Sequence, residues 1–137
     1  MANVVDRQIT LDGYKNAVVK WTGVLDTSDV SIVPALALSE LLGNDPSATL
    51  VGLRLVFAEW SMGNGIEVVM SWDGMNPQQI LPLAGRGRVA ASSYGGFSPD
   101  MTRMGYNGSI NLTTNGFIPS VPQTFTIVLE FNKMYRG

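Results

Sequence analysis

Three carboxylates fall close enough along the chain to do acid–base work together. Glu59, Glu67 and Asp73 lie on or beside two consecutive stretches of alternating hydrophobicity, and glycoside hydrolysis needs two such groups facing each other across a groove. The alternation argues against that use. It puts Glu67 on the face opposite Ile66, Val68 and Met70, where a charge keeps one face of an antiparallel sheet wet.

Nucleophilic chemistry is narrower still, because the 137 residues include no histidine and no cysteine. A Ser–His pair, a cysteine nucleophile and a cysteine zinc site are excluded. A Ser–Lys pair stays formally open, but neither Ser-x-x-Lys nor Gly-x-Ser-x-Gly occurs. Asp26-x-x-Asp29 is the densest acidic spacing. It does not match a calcium loop and reads as a turn whose carboxylates bond nearby backbone N–H groups. The chain therefore reads as a non-enzyme with no cofactor and no metal.

Binding chemistry has more to offer. Gly85-Arg86-Gly87-Arg88 is neither a P-loop nor a dinucleotide fingerprint, since no Gly-Lys-Ser/Thr and no helix pattern follows. Two arginines between glycines read either as a clamp for a carboxylate or carbonyl on a neighbouring subunit or as a basic turn. Trp21, Trp60, Trp72, Tyr14, Tyr94 and Tyr106 are the material for a sugar platform. Trp72 shares a face with Ile66, Val68 and Met70 and so reads as core; Trp60, at a strand end, reads as exposed.

Period-2 patterning supplies the elements that must position these groups. It predicts strands from Val5 to Leu11, Asn16 to Leu25, Val30 to Val33, Thr49 to Trp60, Ile66 to Asp73, Gln78 to Leu83, Ser109 to Thr114 and Gln123 to Lys133, with a further one around Arg88 to Ser92. Val51, Leu53, Leu55 and Phe57 fall on one face. Gly23 inside the second strand predicts a bulge or a close backbone approach, and Pro82 predicts an edge or a strand end. The 49–60 and 66–73 strands read as the central antiparallel hairpin. Residues 35–42, with Pro34 before and Gly43 after, form the best helix pattern. Residues 84–108 lose regular patterning and carry glycines, arginines and aromatics, the composition of a long functional loop. The sum is an all-β, antiparallel sandwich of jelly-roll type with one short helix near residues 35–42, a single domain over 1–137.

A chain of this length buries roughly 65–70% of its unfolded surface without disulfides. Charged residues make up 15%, below the usual fraction of about 25%, while 45% are hydrophobic. A net charge of −2 leaves no footprint for nucleic acid. Residues 1–83 hold four basic and nine acidic side chains and residues 84–137 five and two, an asymmetry that lets the halves face each other or lets one copy meet the next. No leader pattern opens the sequence, and no apolar stretch is long enough to span a bilayer. Synthesis and use without signal-peptide export is the expectation. Asn107-Gly-Ser and Asn111-Leu-Thr then read as ordinary turn and strand residues rather than glycan acceptors.

Five stretches carry a resemblance. They are Asp12-Gly-Tyr-Lys-Asn-Ala-Val-Val-Lys-Trp-Thr-Gly-Val-Leu-Asp-Thr-Ser-Asp, Trp72-Asp-Gly, Leu83-Ala-Gly-Arg-Gly-Arg, Tyr94-Gly-Gly-Phe and Thr124-Phe-Thr-Ile-Val-Leu-Glu-Phe-Asn-Lys. Through them the chain resembles small virion structural proteins of tailed bacteriophages, most like capsid decoration (cement) proteins. The resemblance covers most of the chain and contains no chemical motif. It implies a β-rich, often trimeric protein on the outer surface of the virion, bound to the major capsid protein and to copies of itself. Anchors for such contacts are expected within Arg86, Arg88, Tyr94, Phe97, Arg103 and Tyr106. The competing expectations are another virion part (tail tube, neck or fibre base) and a carbohydrate-binding β-sandwich.

Overall fold

A computed structural model describes residues 3–13, 15–26, 28–29, 33–41, 49–63, 65–75, 78–91, 95–100, 102, 104–117 and 123–136. Its strands are β1 (Val4–Asp12), β2 (Asn16–Leu25), β3 (Val33–Leu36), β4 (Thr49–Met62), β5 (Glu67–Trp72), β6 (Gln78–Ala84), β7 (Arg86–Ala90), β8 (Ile110–Asn115) and β9 (Gln123–Arg136). They form two antiparallel sheets, β1-β2-β9-β4-β7 and β3-β8-β5-β6. Without β1, the orders β2-β9-β4-β7 and β3-β8-β5-β6 are those of a jelly roll, two Greek keys wrapped into facing sheets. The expected all-β sandwich is therefore the fold, with β1 added to one edge.

Alternation builds the core. Val19, Trp21, Leu53, Leu55, Phe125, Ile127, Leu129 and Phe131 point inward from the first sheet, and Val68, Met70, Trp72, Leu83, Ile110 and Leu112 from the second. Trp72 is core, as its face predicts. Trp21 ties the sheets together, its indole Nε1 donating to the Ala35 carbonyl of β3 at 3.2 Å. Gly23 is a close-approach position: a Cβ there would lie 2.3 Å from the Phe125 ring.

Four expectations change. Strands β4 and β5 are not a hairpin; β4 pairs with β9 and β7, whereas β5 pairs with β6 and β8 in the other sheet. Their short connection turns a corner between layers, and period-2 patterning looks the same either way. Phe57 does not share a face with Leu55, because the ladder slips between them and the bulge at Val56 sends Phe57 outward. The helix shrinks to a single 3-10 turn, Leu38–Glu40. Ala35 and Leu36 belong instead to strand β3 of the second sheet and are buried in the core; burial overrides their helix propensity. Asp29 is not a local turn former. Its carboxylate accepts the Thr114 hydroxyl at 3.0 Å and the Phe117 N–H at 3.1 Å, from the far end of β8.

Candidate binding face

The outer face of the first sheet holds the arginines picked out above. A tight turn at Gly85 delivers the chain from β6 into β7, and Ser61 pairs with Arg86, Trp60 with Gly87 and Glu59 with Arg88. Because Trp60 also pairs with the inward Ile127, alternation leaves Glu59, Ser61, Arg86 and Arg88 facing outward. Trp60 is thus not an exposed platform. Its indole packs against the core, crosses β7 where a Cβ on Gly87 would come within 2.5 Å of it, and donates through Nε1 to the Ala84 carbonyl at 3.0 Å.

The ladders align a polar row across all five strands, Asp6–Thr22–Thr126–Ser61–Arg86. Beside it runs a second row, Gln8–Lys20–Val128–Glu59–Arg88. Neighbouring strands are about 4.8 Å apart, so each row spans roughly 19 Å. Where the rows meet β7, β4 and β9 they border an open trough of about 520 Å³, whose lining also includes Trp60 and Gly87 between the two rows. A smaller hollow of about 200 Å³ continues from Thr126 to Thr22, Val24, Val4 and Asp6.

The two arginines differ in what holds them. Arg88 donates through Nε and Nη2 to Glu59 Oε2, at 3.2 and 2.9 Å, and its guanidinium lies 5.6 Å from the centroid of the Phe57 ring. Arg86 is exposed, and among the described residues it has no ion pair or hydrogen-bond partner of its own. Arg88 is therefore pre-oriented, and Arg86 is available to a planar anionic group such as a carboxylate.

Phe97 and Tyr106 lie away from this face, at the end of the sandwich where the 91–109 connection crosses. Phe97 forms a two-way backbone bridge with Leu55, at 2.9 and 2.8 Å, and packs on the core. The Tyr106 hydroxyl donates to the Val51 carbonyl at 3.0 Å, and burial pushes its pKa up. Gln78 and Asp100 exchange two hydrogen bonds at 3.0 and 2.8 Å. Met75 N–H donates to the Met104 carbonyl, setting two exposed methionines side by side. Tyr94 and Arg103 lie outside the described residues. The structure thus brings Arg86 and Arg88 together and leaves Phe97 and Tyr106 elsewhere.

The three carboxylates considered for catalysis also separate. Glu59 is on the outer face of the first sheet and Glu67 on that of the second, opposite Asn115 and Ala84. Asp73 sits at the loop end as a tie-point. It accepts from Asn107 and Asn111, each at 2.9 Å, and those bonds, the Asn107 one foremost, hold its pKa below the ordinary aspartate value. Both sequon asparagines are accordingly structural partners of one carboxylate.

Sequence reading missed Glu59 as the partner of Arg88, because 29 residues separate them and no local spacing links them. It also missed the hydroxyl row. The outward alternation of Thr124 and Thr126 was the available signal.

No family model and no curated protein matches the sequence. Among solved structures the chain is similar to one described as "CBM4 structure and function", with 8% identity and a TM-score of 0.29 over 98% of this chain and 94% of that one. At that level the likeness carries no argument about what this chain binds.

Proposed function

We propose that this protein is a non-enzymatic structural component of a tailed-phage particle that binds the outside of the capsid, together with copies of itself, and stabilises contacts between capsid subunits. The observation that supports this reading best is the broad outer face of the first sheet, with Arg86 presented at its rim beside a pre-oriented Arg88. Such a face offers area and a few directional anchors, the pattern by which one folded surface grips another. Arg86 then takes a carboxylate or a backbone carbonyl of a capsid subunit, and the hydroxyl row supplies further hydrogen bonds.

The test is co-sedimentation with expanded, undecorated heads. Wild-type protein should saturate the heads. Replacing Arg86 and Arg88 together by alanine should weaken binding about tenfold or more without unfolding the chain. Equal occupancy by the double variant overturns the assignment of this face. Binding of the wild type to tails but not heads moves the protein to a tail or neck role.

The row of hydroxyls also favours a second reading, a carbohydrate-binding sandwich, since Thr22, Thr126 and Ser61 can each donate and accept. Glycan binding lost on Thr126→Val and Ser61→Ala, with head binding retained, would establish that reading instead.

A further inference from the structure

The two sheets have four edges, and three are blunted against pairing. Strand β3 is four residues long and contains Pro34, β6 contains the exposed Pro82, and β7 is five residues long with two exposed arginines. Proline, shortness and charge are the usual ways to keep a sheet edge from recruiting another strand. Strand β1 differs. It runs nine residues without a proline, and no described strand pairs with its far side.

This edge is held ready at both ends. Asn3 donates to the Ser28 carbonyl at 2.9 Å and accepts the Asp26 N–H at 2.7 Å. At the other end Asp12 is paired with the buried Lys133 ammonium, which also donates to the Gly13 carbonyl at 2.6 Å. Large apolar side chains are also left in water along it. Val4 is 47% exposed and Leu11 48%, and Val24, directly opposite Val4 on β2, is exposed too.

We infer that β1 pairs antiparallel with β1 of a second copy about a two-fold axis through Arg7, joining two five-stranded sheets into one of ten strands. The register follows from the positions of the side chains. With Arg7 opposite Arg7, Asp6 meets Gln8 on the outer face and Val5 meets Ile9 on the inner. The bulge at Thr10, between Ile9 and Leu11, then brings Leu11 of one copy opposite Val4 of the other. Both exposed apolar groups are covered at each end of the joint by the same symmetric contact, the isologous arrangement that closes an assembly at two. The two Arg7 side chains do not meet as bare like charges, because each is paired with the Glu40 carboxylate of its own chain. This inference rests on the self-association in the proposed function and replaces the three-fold arrangement expected from the resemblance with a two-fold one.

Light scattering of the purified protein should give the mass of a dimer; a monomer at tens of micromolar or a trimer overturns the inference. Val4→Asp with Leu11→Asp changes only exposed positions and should raise the dimer dissociation constant about thirtyfold or more; an unchanged dimer places the contact elsewhere. The absence of cysteine permits a direct second test. Arg7→Cys should form a disulfide-linked dimer on mild oxidation, since facing residues of an antiparallel pair fall within disulfide range, and Lys20→Cys, one strand in, should not. Equal cross-linking of the two variants overturns the register. Head binding by the Val4→Asp, Leu11→Asp variant is measured in parallel. Retained head binding with a wild-type mass that is not a dimer sinks the two-fold edge alone, and loss of head binding by the wild type sinks the wider reading.

Discussion

The outer face of the first sheet and the 91–109 connection are both rich in residues that commonly bind partners, yet they use them in opposite ways. In the connection, the side chains and backbone groups are spent internally: Phe97 on Leu55, the Asp100 backbone on Gln78, Tyr106 on Val51, Asn107 on Asp73. On the sheet face, ladder hydrogen bonds within the backbone already hold the strands, so Arg86, Ser61 and Thr126 are left to face outward. An aromatic or an amide in a long loop is needed first to hold the loop down, because irregular backbone has no ladder to satisfy it. A polar residue on the wet side of a strand carries no such duty.

The comparison can be broken most sharply at Phe97. Replacing it by alanine should cost about 2–3 kcal/mol in urea unfolding, less than a fully buried ring would, with head binding per folded molecule unchanged. Full stability together with lost head binding would invert the comparison and make the connection the contact. Asp73→Ala comes next. It should cost about 1–3 kcal/mol at neutral pH by leaving Asn111, buried at 6% exposure, short of a partner. Asp73 also gives the connection a pH signature. Its folded pKa lies below its ordinary 3.8, so its contribution is present above that value and is lost as pH falls through the lower folded one. Glu40, held low by Arg7 and the Ala37 N–H, acts in the same direction. The wild type should therefore lose stability below about pH 4 more steeply than Asp73→Ala does, as read by thermal unfolding across pH. Tyr106→Phe removes one half-buried hydrogen bond and should cost about 1 kcal/mol, again without effect on binding. Arg88→Ala should be the smallest in stability, about 0.5 kcal/mol or less, since Arg88 and Glu59 are 69% and 53% exposed. If it matches Phe97→Ala in cost, the sheet face too is built for stability.

Much of the fold was legible because alternation reports directly on which side of a strand meets the core. β1, β2, β8 and β9 lie close to where Val5, Val18, Ile110 and Phe125 place them. Alternation is silent on which sheet a strand joins, and so β4 and β5 read as a hairpin. It also breaks at every bulge, and so period 2 alone places Phe57 on the wrong side. The 35–42 stretch misled because alanine and leucine serve a buried strand as readily as a helix. Of the site, the Arg86–Arg88 pairing could be read from spacing on one strand. Glu59, Thr22 and Asp6 could not, since only the ladder register between distant segments aligns them. Leu11 alternates with Val5 and Ile9 and so reads as core, until the bulge between Ile9 and Leu11 turns it to the outer face; Val4, one residue before Val5, faces outward beside Val24.

The position of β9 between β2 and β4 has a consequence for biosynthesis. While residues 123–136 are still inside the ribosome, the first sheet exists only as two half-sheets, β1-β2 and β4-β7, each with a sticky apolar side and an unfilled slot. Closure waits on the strand made after all the others described. Folding is then dominated by contacts between distant parts of the chain, the slow regime for a small domain, and until β9 is in place the unfilled slot is open to a neighbour's strand.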